Sequence, residues 1–394
     1  MISDWVEGWP PASAVPSRDN ACARWRSLEH DARPWPDGGD ARGEVAGGYL
    51  ERLPLALVAA GVVDQVEIWH HWRGEGQPPF RRESPVLARR AFRLDVENAP
   101  FASADMIAFV ETFGAPHILV VLGLGVATDV LDACTNSVIL YNSIDAPALR
   151  VPPAVSARFD LVITGAQWQS EEVTARHPEM ATVVMPIGPE FAATDQFRPL
   201  GTAKDVDLIY VAAAQSYKRH DILFDAMAQL PRDVSALCVF GYGEDGDTLR
   251  ARAARQGLNV EFVGPPGVPI EEVNRLMNRA RFGVVCGVDD GAPAILTEYM
   301  LAGLPVLANA ALRCGLQFIL PETGVAASAE DFADAIMDLR ARAHTFDARG
   351  AVLERWTWPH SIERLHRLIA PLCNMKQGRT LRGGLVAPSE SVTP

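Results

Sequence analysis

Two acidic side chains in the second half of the chain have the types and the spacing to bind a sugar. Asp290 and Glu298 flank a Gly-Ala-Pro turn in the stretch "DDGAPAILTEYMLAGLPVLAN", residues 289–309. A carboxylate only accepts hydrogen bonds, so it suits the paired hydroxyl groups of a sugar. The free amides at the start of the helix that follows suit a phosphate. This combination describes a nucleotide sugar, although the spacing alone equally allows a solvated helix residue and a loop acid.

The helix that carries the second acid is predicted from its end signals. Pro293 suits the first turn, where its missing N–H costs nothing. Gly303 suits the position just past the helix end. The sequence therefore predicts a helix over Pro293–Ala302.

Strand-like and helix-like segments alternate along the chain. Apolar runs typical of buried strands occur at 65–69, 117–123, 137–142, 160–165, 182–188, 206–212, 235–241, 259–264, 281–287 and 304–309. Amphipathic stretches, such as 219–230 and 271–280, lie between many of them. Strands that are apolar throughout are covered on both faces, as in parallel sheets. This alternation predicts a doubly wound α/β fold.

The composition disfavours several classes of protein. The chain has 394 residues with 36 Lys or Arg and 49 Asp or Glu, and its net charge of −13 argues against nucleic acid as the main partner. The six cysteines form no CxxC pair, which disfavours a zinc site or a disulfide framework. No apolar run is long enough to span a bilayer, and the acidic start is unlike a signal peptide. We expect a cytoplasmic protein without a transmembrane segment, and peripheral membrane contact stays open.

Two glycine-rich turns each follow a predicted strand. "GLGVAT" (123–128) precedes Asp145, and "GYGEDG" (241–246) precedes Glu261 at a spacing typical of dinucleotide-binding units. Each motif alone is weak, because a plain strand-to-helix turn needs the same glycines. Together they predict a Rossmann-like unit in each half of the chain.

The second glycine turn also contains a D-x-D pattern, Asp245-Gly246-Asp247, which some metal-dependent sugar transferases use. Asp247 is predicted instead to cap the helix that follows, because an aspartate accepts hydrogen bonds from free helix amides. We therefore expect no metal site and no cofactor.

The opening stretch resembles the E-x7-E signature of the retaining glycosyltransferases of family 4, in which a second Glu precedes a Gly-x-Pro-Val run. The matching residues are Glu298, Met300, Gly303, Pro305 and Val306. The resemblance continues through "YVAAAQSYKRHDILFDAMAQL", "VFGYGEDGDTLRARAARQGLNVEFVGPPG", "PIGPEFAATDQFRP" and "RWTWPHSIERLHRLI", and is specific over about residues 182–370.

The resemblance implies a role for each site residue. Glu298 would bind the ribose, Asp290 the transferred sugar and Lys218 the diphosphate, with the base near Gly264–Gly267. Lys218 alternatively is a solvated lysine, but a helix start is unfavourable for a cation. The further donor-binding residues implied are Arg219, Gly241, Gly243, Gly264, Gly291, Ala294 and Ile295.

Three features depart from the family pattern. Ala213 stands where an arginine is usual, Asp290 replaces a longer Glu, and the N-terminal glycine loop is reduced to Gly47-Gly48. Gly47, Gly48 and Asp145 are the candidates for the acceptor side. The glycine pair equally fits a plain turn at a helix start.

The resemblance implies a GT-B fold, in which two Rossmann-like domains with doubly wound parallel sheets face a cleft. We expect an acceptor-side domain at 1–195, a nucleotide-sugar domain at 196–354, a helix at 355–373 packing back on the first domain, and a disordered tail at 374–394. The predicted function is retaining transfer of a sugar from a nucleoside-diphosphate sugar to a glycan, lipid or small molecule. The alternatives are an inactive scaffold with this fold and an NAD-type oxidoreductase.

Overall fold

The computed structural model describes residues 1–3, 45–76, 78–144 and 146–378, and the chain divides into two compact units. Unit 1 comprises Met1–Ile187 with Trp358–Pro394, and unit 2 comprises Gly188–Thr357. The division thus falls a few residues before the expected boundary at 195, and the chain returns to unit 1 at Trp358.

The strands and helices follow one another in the expected alternation. The strands are β1 (Val66–Trp72), β2 (Phe80–Arg82), β3 (Leu87–Arg93), β4 (Ile118–Leu122), β5 (Val138–Asn142), β6 (Leu161–Thr164), β7 (Ala181–Val184), β8 (Val206–Val211), β9 (Ala236–Val239), β10 (Val260–Val263), β11 (Ala280–Val285), β12 (Val306–Asn309) and β13 (Gly324–Ala327). The α-helices are α1 (Arg52–Ala59), α2 (Ala104–Phe113), α3 (Thr128–Ala133), α4 (Pro153–Ser156), α5 (Gln167–Arg176), α6 (Ile187–Glu190), α7 (His220–Ala228), α8 (Gly246–Gln256), α9 (Ile270–Arg279), α10 (Ile295–Leu301), α11 (Phe332–Arg342), α12 (Ala348–Arg355) and α13 (Trp358–Gln377). Short 3-10 turns occur at Ser216–Lys218, Leu316–Phe318 and Ala343–Thr345.

Unit 2 contains a six-stranded sheet in the order β10-β9-β8-β11-β12-β13, with every pairing parallel. Counted along the unit, this is strand order 3-2-1-4-5-6, the order of the dinucleotide-binding fold. Buried side chains of α9, α10 and α12 cover one face, and those of α7 and α11 cover the other. The doubly wound α/β prediction is therefore confirmed.

Unit 1 joins two sets of strands through the first residues of the chain. The strands β4-β5-β6-β7 are parallel neighbours, and β1-β3-β2 form a second set. Ile2 bridges Val121 of β4 and Trp69 of β1 in parallel, so it lies between the two sets like a one-residue strand. Its N–H donates to the carbonyl of Val120 at 2.7 Å.

The strand β3 is rich in arginine but lies in the interior of unit 1. Arg89 and Arg90 are fully buried. The Arg89 guanidinium pairs with Glu51 and, at 2.7 Å, with Glu83, while Arg90 pairs with Glu67 at 2.9 Å. A buried cation needs such partners, because an unpaired charge in the interior is costly. The strands β2 and β3 were not predicted, because they lack an apolar run.

The last described helix, α13, contacts α1 and β5 of unit 1. Lys376 near its end donates to Asp160 at 2.6 Å and to the carbonyl of Ser137 at 2.9 Å. The helix runs to Gln377, so it continues past the residue where a disordered tail was expected to begin. Residues 379–394 of that tail lie outside the described residues. Within the described ranges, every helix is too short or too polar to span a bilayer.

Candidate active site

The predicted site residues of unit 2 lie at the point where the strand order reverses. Strands β8 and β11 are neighbours in the middle of the sheet, and their connections run to opposite sides of it. In doubly wound sheets, ligands bind beyond the carboxyl ends of the strands at this switch point. Lys218 follows β8 and Asp290 follows β11, so the fold brings two residues far apart in sequence to one place.

Lys218 and Asp290 form an ion pair across the switch point. The Lys218 ammonium contacts the Asp290 carboxylate, and their side chains are 16% and 13% exposed. The Tyr210 hydroxyl, which is buried in β8, donates to the backbone carbonyl of Lys218 at 2.5 Å. The backbone under the lysine is thereby fixed, which fixes the position of the cation.

The Asp290 carboxylate is held at both oxygens. One oxygen accepts from the N–H of Gly291 at 3.1 Å, and the other contacts Lys218. Gly291 also forms an isolated parallel bridge with Cys314, which ties this loop to the segment after β12. A carboxylate held in this way forms an ordered part of the loop that precedes α10.

Arg219 has a conformation and a partner that separate it from the lysine beside it. Its backbone is left-handed, with φ = 54°, which is uncommon for a residue with a side chain. Its guanidinium hydrogen-bonds Asp221 at 2.9 and 2.8 Å, and this bond raises the pKa of Arg219 and lowers that of Asp221. The two neighbouring cations therefore have different partners.

The helix α10 is shorter than predicted. It spans Ile295–Leu301, and Ala294 precedes it with no side-chain cap. The regular helix begins two residues after the predicted start at Pro293, because the Pro293 carbonyl accepts from the N–H of Leu296 at 3.2 Å and so forms a tighter turn than an α-helix. The predicted end is confirmed: Gly303 has φ = 83°, and its N–H donates to the carbonyl of Met300 at 2.9 Å, a typical glycine helix end.

Glu298 lies on the less buried side of α10. Leu296, Tyr299 and Met300 are fully buried, whereas Ile295 and Glu298 are half-buried and share one side of the helix. Tyr299 anchors the helix to the sheet, because its hydroxyl accepts from the N–H of Val211 at 2.7 Å. Glu298 is thus presented from an element fixed directly to the end of β8.

Glycines allow the loops after β8, β9 and β10 to pack together. Gly243 has φ = 117°, and a Cβ there would overlap the backbone of Ala214. The N–H of Ala214 donates to the carbonyl of Tyr242 at 2.7 Å. Gly264 has φ = 75°, and its Cβ would overlap the carbonyl of Phe240. A Cβ on Gly267 would lie 3.0 Å from the Cα of Gly241.

We expect Gly243→Ala to destabilise the protein by about 1–3 kcal/mol, because it combines a left-handed backbone with a steric overlap. Urea unfolding measures this loss. Gly201 is the matched control, because it has φ = 68° with no atom within 4 Å, so Gly201→Ala carries only the backbone cost. Equal losses in the two variants would show that the contact with Ala214 does not matter.

The predicted cap at Asp247 is wrong. The helix α8 begins at Gly246, so Asp247 lies inside its first turn, and Asp245 occupies the cap position without a side-chain hydrogen bond. The Asp247 side chain is fully exposed and lies 4.0 Å from Arg250. Among the described residues, no group of three or more His, Cys, Asp or Glu side chains is placed to hold a metal ion.

The acceptor-side candidates belong to unit 1. Gly47 has φ = 91° and its carbonyl accepts from Arg52 at 2.9 Å, while the N–H of Gly48 donates to Glu51 at 2.8 Å. These contacts form the turn that begins α1, and they account for the glycines structurally. Asp145 lies outside the described residues.

Two tyrosines of unit 2 were not among the predicted site residues. Tyr217 precedes Lys218, and the lysine ammonium lies 4.8 Å from the centre of its ring. Tyr242 stands between the two glycines of the turn after β9 and is 62% exposed. The sequence signal for Tyr242 is its place between two glycines of a turn, where a side chain is commonly exposed.

Comparison with protein families gives one match. Residues 193–342 match the family described as "Glycosyl transferases group 1". These residues include β8 to β13 and every predicted site residue of unit 2. A search of curated protein sequences finds no match to this chain.

Solved structures with a similar fold include sucrose-phosphate synthase from Thermosynechococcus elongatus, which is 20% identical with a TM-score of 0.64. The match covers 86% of this chain and 96% of that one. HepE from Anabaena in complex with UDP and glucose is 16% identical, with a TM-score of 0.58 and coverage of 85% and 98%. The lipopolysaccharide outer core galactosyltransferase WaaB is 13% identical, with a TM-score of 0.60 and coverage of 83% and 96%.

These structures share the α/β architecture with parallel sheets found here, which is the GT-B fold, and the predicted fold is confirmed. The family match supplies what a fold alone does not show, the type of reaction. Residues 193–342 therefore form a glycosyl transferases group 1 domain, and the chain is a glycosyltransferase with the GT-B fold.

Proposed function

We propose that the chain is a retaining glycosyltransferase that moves a sugar from a nucleoside-diphosphate sugar to a hydroxyl group of a glycan, a lipid or a small molecule. The observation that carries this proposal is the Lys218–Asp290 ion pair at the switch point of the unit 2 sheet. A cation held at the carboxyl ends of parallel strands, beside the start of a helix, suits a diphosphate. HepE, which has a similar fold, was solved with UDP and glucose. This supports UDP as one nucleotide to test.

Lys218 is proposed to bind the diphosphate of the donor. In the structure its ammonium is paired with Asp290. A bound diphosphate carries more charge than one carboxylate, so it competes with Asp290 for the lysine. Asp290 then becomes available as an acceptor for hydroxyl groups of the transferred sugar. Glu298, on the half-buried side of α10, is proposed to accept from the ribose hydroxyls.

The proposed reaction breaks the bond between the anomeric carbon and the diphosphate oxygen, whose electron pair stays with the diphosphate. Lys218 stabilises the charge that develops on that oxygen. The acceptor oxygen bonds to the anomeric carbon on the same face, which retains the configuration. Its proton passes to the departing phosphate, so the step needs no side-chain base and no cofactor.

The experiment that tests this proposal is incubation with a panel of sugar nucleotides, followed by NMR. A donor that this enzyme uses should release its nucleoside diphosphate, and the transferred or hydrolysed sugar should first appear with the anomeric configuration of the donor. Appearance of the opposite anomer would contradict retention. Absence of reaction with every donor, together with absence of binding, would favour an inactive scaffold.

We expect chelators to leave transfer largely intact. A metal-free site neutralises the leaving diphosphate with side-chain cations, and Lys218 is the proposed cation. Transfer measured in excess EDTA should stay close to the untreated rate. Complete loss of transfer, restored by Mg²⁺ or Mn²⁺, would contradict this expectation and would favour a metal site at Asp245 and Asp247.

A further inference from the structure

The Lys218–Asp290 pair is bordered by two exposed tyrosines on separate loops. Tyr217 lies directly before the lysine in the loop after β8, and Tyr242 lies in the glycine turn after β9. They are 39% and 62% exposed, which is unusual for side chains of this size. Single exposed apolar side chains are common on protein surfaces, but these two rings lie together beside a cation.

The two phenol groups contact each other beside the ion pair. The Tyr242 and Tyr217 hydroxyls share a hydrogen bond, and the Tyr242 phenol interacts electrostatically with both Lys218 and Asp290. The Lys218 ammonium lies over the Tyr217 ring at 4.8 Å from its centre. The two phenols, the ammonium and the carboxylate therefore form one cluster.

The backbone holds Tyr242 in this position. Its carbonyl accepts from the N–H of Ala214 at 2.7 Å, and the left-handed Gly243 that follows lies against the same residue. The loops after β8 and β9 are thus joined at Ala214, so Tyr242 and Tyr217 keep a fixed relation. Residues held in this way are pre-organised to bind a ligand, because little ordering remains to be done.

The Tyr242 phenol keeps its proton at neutral pH. Desolvation around the hydroxyl, followed by the effect of the Tyr217 phenol, raises the pKa of Tyr242 to about 12. A protonated hydroxyl is a hydrogen-bond donor. Arg219, the cation next to Lys218 in sequence, is engaged with Asp221 instead. An anion at Lys218 therefore meets one ammonium and the neutral hydroxyl of Tyr242.

We propose that the hydroxyls of Tyr217 and Tyr242 bind the diphosphate of the donor together with Lys218, as neutral hydrogen-bond donors beside the single ammonium. This inference rests on the proposed function, since it assigns further residues to the same diphosphate. The chemical groups are compatible, because phosphate oxygens accept strong hydrogen bonds from hydroxyl groups. The hydroxyl pair exchanges its internal hydrogen bond for bonds to the phosphate.

The test is calorimetric titration of the full chain with UDP, GDP and ADP, using whichever binds most tightly. Tyr242→Phe removes the hydroxyl and keeps the ring, whereas Tyr242→Leu removes both. If the hydroxyl binds phosphate, both variants should weaken affinity about tenfold or more, and to a similar extent. Tyr217→Phe should also weaken binding, and the double variant should lose less than the product of the single losses, because the two hydroxyls act together.

Tyr49→Phe is the matched control, because Tyr49 is a surface tyrosine of unit 1, and it should leave affinity unchanged. Melting temperatures of all variants check that they are folded. If Tyr242→Phe binds like the wild type while Tyr242→Leu is weak, the ring acts by stacking and this inference is wrong. If the wild type binds no nucleoside diphosphate, the proposed function is wrong as well. The two failures are distinguishable, because only the second abolishes binding by the wild type.

Discussion

Replacement of Lys218 by alanine should lower the turnover of an active donor by about two to three powers of ten. The leaving diphosphate gains negative charge as the sugar bond breaks, and removing one pre-organised group that stabilises such charge costs about this much. Lys218 is mostly enclosed and its backbone is fixed by Tyr210, so its ammonium is pre-organised. Initial rates at saturating donor concentration measure the effect.

Two variants serve as controls for this result. Lys204 lies exposed before the amino end of β8, at the opposite end of the strand from Lys218, so Lys204→Ala should be silent. Arg219→Ala should be mild, because that guanidinium is engaged with Asp221. A greater loss in Arg219→Ala than in Lys218→Ala would place the diphosphate at the arginine. Unchanged turnover in both variants would show that the diphosphate does not bind at this loop.

Replacement of Glu298 by glutamine should weaken donor binding and transfer by about 10- to 100-fold while leaving the fold intact. A hydrogen bond from a ribose hydroxyl to a carboxylate contributes about 1.5–3 kcal/mol, and the amide accepts such bonds less strongly. The side chain has the same size, and Glu298 lies on the half-buried side of α10, so packing is retained. The KM for the donor and the melting temperature together separate binding from folding.

Glu330→Gln provides the comparison, because Glu330 is an exposed glutamate of the same unit outside the site. It should leave the KM and the melting temperature unchanged. Kinetics of a folded Glu298→Gln variant that equal those of the wild type would show that the carboxylate does not contact the donor. A lower melting temperature with unchanged KM would instead make Glu298 a structural residue.

The architecture of unit 2 was predictable because most residues of its strands are apolar and its turns contain glycine. Such strands have one interpretation, a parallel sheet covered on both faces, and the structure shows this sheet. The end of α10 was also predictable, since Gly303 takes the left-handed conformation that glycine favours. The start of α10 was two residues off, because a tight turn at Pro293 has the same sequence signals as the first turn of an α-helix.

Other features depend on contacts between distant residues. The buried strand β3 contains Arg89 and Arg90, whose charges are tolerated because Glu51, Glu67 and Glu83 meet them. These partners are distant in sequence, so no local pattern reveals them. By composition alone, the segment looks like an exposed one. The same limit applies to the ion pair of the candidate site, which joins residues on two loops. Local sequence predicted the two residues, but only the strand order brings them together.

The most direct test of the central claim is calorimetric binding of nucleoside diphosphates to the wild type and to Lys218→Ala, with Lys204→Ala as control. The claim is that the switch point of the unit 2 sheet binds a diphosphate through Lys218. We predict one binding site in the wild type for at least one of UDP, GDP and ADP, affinity about tenfold or more lower in Lys218→Ala, and no change in Lys204→Ala. Absence of binding by the wild type, or equal affinity in wild type and Lys218→Ala, would contradict the claim.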